Sequence, residues 1–180
     1  EVLREAGVDA VVLETFRQPE ELKLAIEGVR EGTHGEVPII ASCSFDAFGT
    51  MADGTGPEAM AALLVEWKAD ALGVNCADGP AGVYEMASRM VAAGLPVVAQ
   101  PNAGLPRRVE GRFAYMATPE YFQIYARRLF KAGVKAVGGC CGTTHEHIRK
   151  IASAARMVSS AVQNEQGGGM REHLTVPPPA

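Results

Sequence analysis

Apolar residues along this chain fall in short dense runs, separated by stretches in which they recur at helical spacing. The first run, Val8–Phe16 (VDAVVLETF), is continuous and rich in Val, which predicts a strand covered on both faces. Pro19 then stands where a helix would make its first turn. Glu20–Arg30 carries Leu22, Ala25, Ile26 and Val29 at the spacing of one helical face. A second strand is predicted over Val37–Phe45 (VPIIASCSF), followed by a Gly-rich loop, Phe48–Pro57, and a helix, Glu58–Lys68. The pattern continues with a strand Ala71–Cys76, a helix Ala81–Ala93 closed by Gly94, and a strand Leu95–Asn102. A helix Pro119–Lys131 capped by Thr118 leads to a fifth strand, Lys135–Cys140. Thr143, with Glu146 in the last position of the box, predicts a capping box opening a helix that runs to about Val162.

Strands alternating with helices in this rhythm predict βα units with parallel strands and right-handed crossovers. A doubly wound sheet and a (β/α)₈ barrel both use that rhythm. A whole barrel takes about 250 residues, so the 180 residues here correspond to about five βα units. Residues 1–162 are therefore expected to form one α/β domain, the C-terminal part of a barrel, reached from a helix that begins near Glu1. Residues 163–180, which contain QGGG and PPP, are expected to be a flexible linker or tail. On this reading the chain is part of a longer protein.

Composition narrows the function. Apolar residues make up 47% and charged residues 21%, the balance of a soluble globular domain. Lys and Arg number 17 against 21 Asp and Glu, a net charge of −4 with no basic stripe, which argues against nucleic-acid binding. No apolar run reaches the roughly 20 residues of a membrane span. Four cysteines are too few for a secreted disulfide scaffold, and two of them, Cys140 and Cys141, are adjacent, a poor geometry for a disulfide. A reducing, cytoplasmic setting is expected, with the cysteines serving as thiols, ligands or nucleophiles.

In parallel α/β folds the functional groups gather at the carboxyl ends of the strands. Here Glu14 ends the first strand, Ser42–Ser44 the second, Asn75 and Cys76 the third, Gln100 and Asn102 the fourth, and Cys140 and Cys141 the fifth. Parallel strands would bring Cys76, Cys140 and Cys141 to one rim. Three thiolates with one open position suit a catalytic Zn²⁺, which prefers tetrahedral coordination and soft sulfur. Cys43 reads instead as a small buried hydrophobe, and Cys76 taken alone could be the same.

Gly138–Thr144 (GGCCGTT), followed by HEHI, resembles the homocysteine S-methyltransferase family. Leu13–Phe16 (LETF), Gly73–Cys76 (GVNC) and Pro101–Pro106 (PNAGLP) match the same family in the same order. The resemblance implies a TIM barrel, zinc held by Cys76, Cys140 and Cys141, and transfer of a methyl group to the thiol of homocysteine, giving methionine. It implies that Glu14 holds the homocysteine amino group and that Asn102 lies beside the metal and the substrate. The family's Asp-Gly segment, a further substrate contact, has no counterpart here, so part of the substrate site is expected to lie elsewhere. Methyl donors within the family are methylcobalamin, methyl-folate, S-methylmethionine and betaine. The resemblance looks like that of the bacterial enzymes and implies a fused or separate methyl-donor or reductase domain.

Other residues read more plainly. His145 and His147 stand two apart, do not share a helix face, and are expected at the surface. Gly49–Gly56 (GTMADGTG) lacks the Lys of a phosphate-binding loop and reads as a rim loop. Tyr115, Tyr121 and Tyr125 read as packing. Two other functions stay open at this point. One is a phosphate-binding barrel enzyme without zinc, cradling an anion on Gly138–Gly142 and the helix that follows. The other is a non-catalytic barrel fragment.

Overall fold

A computed structural model describes residues 1–109 and 111–167, with side chains through 161. After a short helix α1 (Val2–Glu5), strands β1 (Val11–Phe16), β2 (Ile39–Cys43), β3 (Ala71–Cys76) and β4 (Val97–Pro101) alternate with helices α2 (Pro19–Gly32), α3 (Pro57–Glu66) and α4 (Gly79–Met90). A hairpin of β5 (Arg107–Val109) and β6 (Arg112–Ala114) precedes α5 (Pro119–Lys131), β7 (Ala136–Val137) and α6 (His145–Gly167). Proline stands in the first turn of α2, α3, α4 and α5, where its missing N–H is not needed and its fixed φ suits the helix.

The main sheet is parallel and its spatial order is β1-β2-β3-β4-β7, so each strand pairs with the next one added. A doubly wound sheet reverses direction partway through its strand order. A strictly sequential order is that of a barrel wall, and the fold is an α/β (β/α)₈ TIM-barrel type represented by five strands.

The core lies between the sheet and its helices. Leu22 and Ile26 of α2, Met60 and Leu64 of α3, and Val83 and Met90 of α4 pack against Ile39, Leu72, Val74 and Val97. Each such side chain contributes roughly 1.5–3 kcal/mol on burial. Cys43 belongs to this core, and burial pushes its thiol up to about 12.

Four expectations are corrected. β1 is not covered on both faces: it is a sheet edge, paired only with β2, and Val12 is 47% exposed. The fifth strand shrinks to Ala136–Val137 because the chain turns away early to carry the cysteine loop. The capping bond sits one residue later than predicted, from the Thr144 N–H to His147 Nδ1, and His147 is buried rather than a surface residue. α6 runs to Gly167, so residues 163–167 continue the helix, while the rest of the expected tail lies outside the described residues. Among the described residues no helix is long and apolar enough to cross a membrane.

Candidate metal centre

The end of β4 organises the site through its backbone. Asn102 donates its N–H to Cys76 O at 3.3 Å, Cys140 donates to Pro101 O at 2.9 Å, and Ala103 donates to Cys141 O at 2.8 Å. Three consecutive residues of the PNA segment thus tie together the two strand ends that carry the cysteines. Cys76 leaves β3 in a left-handed conformation, φ 62, followed by Ala77 at φ 54. Such backbone is uncommon for residues with a Cβ and concentrates at functional sites.

The sulfurs of Cys76, Cys140 and Cys141 all lie within 4.8 Å of one another. Sulfurs bound to one tetrahedral Zn²⁺ at 2.3 Å would be about 3.8 Å apart, and the Cys140–Cys141 pair is at 3.9 Å. Burial, and then the neighbouring Cys140 and Cys141 thiols, push the Cys76 thiol up to about 11. Crowded thiols oppose each other's ionisation, and a divalent cation among them reverses that balance. The donor set therefore fits zinc. Cys141 is exposed, which leaves the centre open to solvent.

Two amides point at the sulfurs. Asn102, buried, donates from Nδ2 to Cys76 Sγ at 3.7 Å and to Ala77 O at 2.9 Å, while its Oδ1 accepts from Gly104 N–H. Asn75, fully buried, reaches Cys140 Sγ from Nδ2 at 3.9 Å. The sequence reading placed Asn75 at a strand end but gave it no role; its signal was a polar residue between two apolar strand positions and a cysteine.

A cavity of about 400 Å³ opens beside the thiols, lined among others by Thr15, Arg17, Asp46, Cys76, Asn102 and Cys141. Tyr115 packs its ring against Gly142 and also lines the cavity; Tyr121 and Tyr125 pack together, with ring centroids 4.8 Å apart. Glu14 is exposed on a break in the β1–β2 register, and its neighbour Thr15, rather than Glu14 itself, lines the cavity. Asp46 and Ala47, which follow β2, line the same wall, whereas Gly49–Gly56, read as a rim loop, contributes nothing to it.

His147 secures the cysteine loop from below. Its Nδ1 accepts from Thr144 N–H at 3.1 Å, Nε2 bonds the carbonyl of Ala117 at 3.0 Å, and its ring meets Phe122 edge to face. Several N–H groups of the loop and of the turn before α6 are bonded within the protein. Gly138 donates to Ala99 O, Cys140 to Pro101 O, Thr143 to Cys140 O and Thr144 to His147.

Fold and site together define a barrel-type α/β protein with a three-thiol centre at the carboxyl ends of its strands. The chain belongs to the homocysteine S-methyltransferase family, whose model matches residues 1–155. It is 36% identical over 157 residues to a methionine synthase of Mycobacterium leprae, covering 83% of this chain and 13% of that protein. It is 32% identical over 171 residues to the S-methylmethionine–homocysteine S-methyltransferase BHMT2 of Pongo abelii, covering 84% of this chain and 46% of the relative. In fold it is similar to the homocysteine methyltransferase MmuM of Escherichia coli, with TM-score 0.65 and 23% identity, over 84% of this chain and 51% of that one. The chain thus spans about half or less of the proteins it matches.

Proposed function

We propose that this chain binds Zn²⁺ through Cys76, Cys140 and Cys141 and presents the thiol of homocysteine for methylation, giving methionine. The observation that carries this reading is the meeting of three free thiols within 4.8 Å, from two strand ends, beside an open cavity. When bound, Zn²⁺ would supply the positive charge that holds a substrate thiol as its thiolate near neutral pH. A free thiol of pKa 8.5 is only about 3% ionised at pH 7.

The chain's own residues set the geometry. Backbone bonds from Pro101–Ala103 hold the two cysteine-bearing ends in place, and Asn102 and Asn75 direct N–H groups at two of the sulfurs. On the substrate side, the resemblance of the LETF segment assigns Glu14, next to the cavity-lining Thr15, to the amino group of homocysteine, and Asn102 on the cavity wall to the sulfur end. Arg17, a cation on the cavity wall, suits the carboxylate. Methyl transfer forms a sulfur–carbon bond and breaks the bond between methyl and donor, whose electron pair stays with the donor. The thiol proton passes to solvent. Three free thiols at one site suit a reducing compartment such as the cytoplasm.

Calorimetric titration of the zinc-loaded chain with homocysteine tests the reading, run in buffers of different ionisation enthalpy. The expected result is one homocysteine per chain with about one proton released, because the thiol gives up its hydrogen on binding. Assays with S-methylmethionine, betaine, methylcobalamin and methyl-folate, the last two with any donor or reductase domain they require, then identify the donor by the methionine formed. A folded, zinc-loaded chain that takes up no homocysteine would overturn the assignment.

A further inference from the structure

Asn75 uses the full bonding capacity of its side chain. Oδ1 accepts from Thr15 N–H at 2.8 Å and from Ser42 Oγ at 2.9 Å. Nδ2 donates to Thr15 Oγ1 at 2.6 Å and to Cys140 Sγ at 3.9 Å. Two acceptor sites and two donors are all that a carboxamide has. A buried amide with unpaired groups would be costly, and here none is unpaired.

What lies at the two ends of this network matters. Thr15 holds φ 68, a left-handed conformation that a β-branched residue avoids, at the point where the β1–β2 register breaks. Both bonds between Asn75 and Thr15 hold that bulge, and Thr15 lines the cavity next to Glu14. The other donor hydrogen of the same nitrogen faces the Cys140 sulfur. One planar group therefore spans from the cavity wall on β1 to a thiol on the loop after β7. An Asp of the same shape would lose both donors and set a carboxylate against sulfur. A Leu would satisfy neither end.

We infer that Asn75 is a positioning residue that sets the Cys140 sulfur and the Thr15 bulge together, so that the thiol centre and the substrate wall move as one unit. This rests in part on the zinc reading above, since the ligand felt at one end is the metal. Coupling of this kind is reciprocal: a change at the bulge alters metal affinity, and metal binding steadies the bulge.

The test uses Asn75→Asp, Asn75→Leu, Thr15→Val and, as control, Ser42→Ala, which removes a partner on the side away from the sulfur. Zinc affinity is read by competition with a chelator, the Co²⁺-loaded form by its sulfur-to-metal absorption, and the Thr15 backbone by amide hydrogen exchange. Asn75→Asp should weaken zinc binding roughly 10–100-fold, the usual effect of removing a group that orients a metal ligand, and shift the Co²⁺ absorption. In Asn75→Leu, which lacks the Oδ1 acceptor of the Thr15 N–H as well, the Thr15 amide should exchange about 10-fold faster even without metal. Thr15→Val should weaken zinc binding several-fold although Thr15 touches no cysteine, and Ser42→Ala should stay near the wild type. A folded Asn75→Asp or Thr15→Val chain with wild-type zinc affinity and Co²⁺ absorption would overturn the inference. Should the wild-type chain bind no zinc, the proposed function fails, and unchanged Thr15 exchange in folded, metal-free Asn75→Leu would separately overturn the role of Asn75.

Discussion

His147 and Thr144 form one half of a capping box, in which an imidazole takes the usual place of Glu or Gln: Nδ1 accepts the Thr144 N–H at 3.1 Å, in the first turn of α6. Accepting there leaves the proton on Nε2, which donates to the carbonyl of Ala117. One buried ring thereby joins the loop after the cysteines to the segment that leads into α5.

Replacing this ring should be expensive. His147→Ala removes a buried aromatic-sized side chain and leaves the Thr144 N–H and Ala117 carbonyl without partners. A loss of about 3 kcal/mol is expected. His147→Gln, which can still accept from Thr144, should lose less. Urea unfolding followed by circular dichroism checks both; an Ala variant as stable as the wild type would remove this role.

Gly142 and Tyr115 make a second pair with a direct consequence. Gly142 has φ 75, and a Cβ there would fall inside the Tyr115 ring. Gly142→Ala should therefore cost about 1–3 kcal/mol and displace the adjacent Cys141. Adding Tyr115→Ala should recover the part due to the ring while the backbone strain remains. Thermal unfolding and zinc content of the single and double variants measure the two parts.

Acid stability should depend on Asp70. Partial burial acts to raise this carboxyl, but the Ile39 N–H and the Arg30 guanidinium outweigh it and hold the group below the usual Asp range. A carboxyl depressed in the folded state contributes stability above its unfolded pKa, near 3.9, and that contribution is lost as pH falls through the lower folded value. Asp70→Asn should be less stable than the wild type at pH 7, and the difference should shrink below about pH 4. Unfolding midpoints measured from pH 7 to pH 2.5 would show it; a constant difference across that range would contradict the account.

Much of this was legible in the sequence. The alternation of Val-rich runs with helical spacing is a strong local signal, and it located the main strands and helices. Cys76, Cys140 and Cys141 could be brought together because parallel strands place their carboxyl ends on one side. The sequential strand order, which separates a barrel wall from a doubly wound sheet, was not legible, since local patterns do not record which strands are neighbours. The β5–β6 hairpin was missed because Arg107–Val109 and Arg112–Ala114 are short and exposed, so no alternation marks them. His147 was misplaced because its burial depends on Ala117 and Phe122, distant in sequence. The network of Asn75 with Thr15, Ser42 and Cys140 joins three strands and a loop, and no local pattern announces it.

The central claim is that three thiols form one metal site, and elemental analysis of zinc per chain tests it most directly. The wild-type chain and its Cys76→Ser and Cys141→Ser variants would be purified in reducing buffer without chelator, each checked for folding by circular dichroism. The account predicts about one zinc per wild-type chain and its loss in both variants. A folded wild-type chain that holds no zinc, or variants that keep it, would contradict the account.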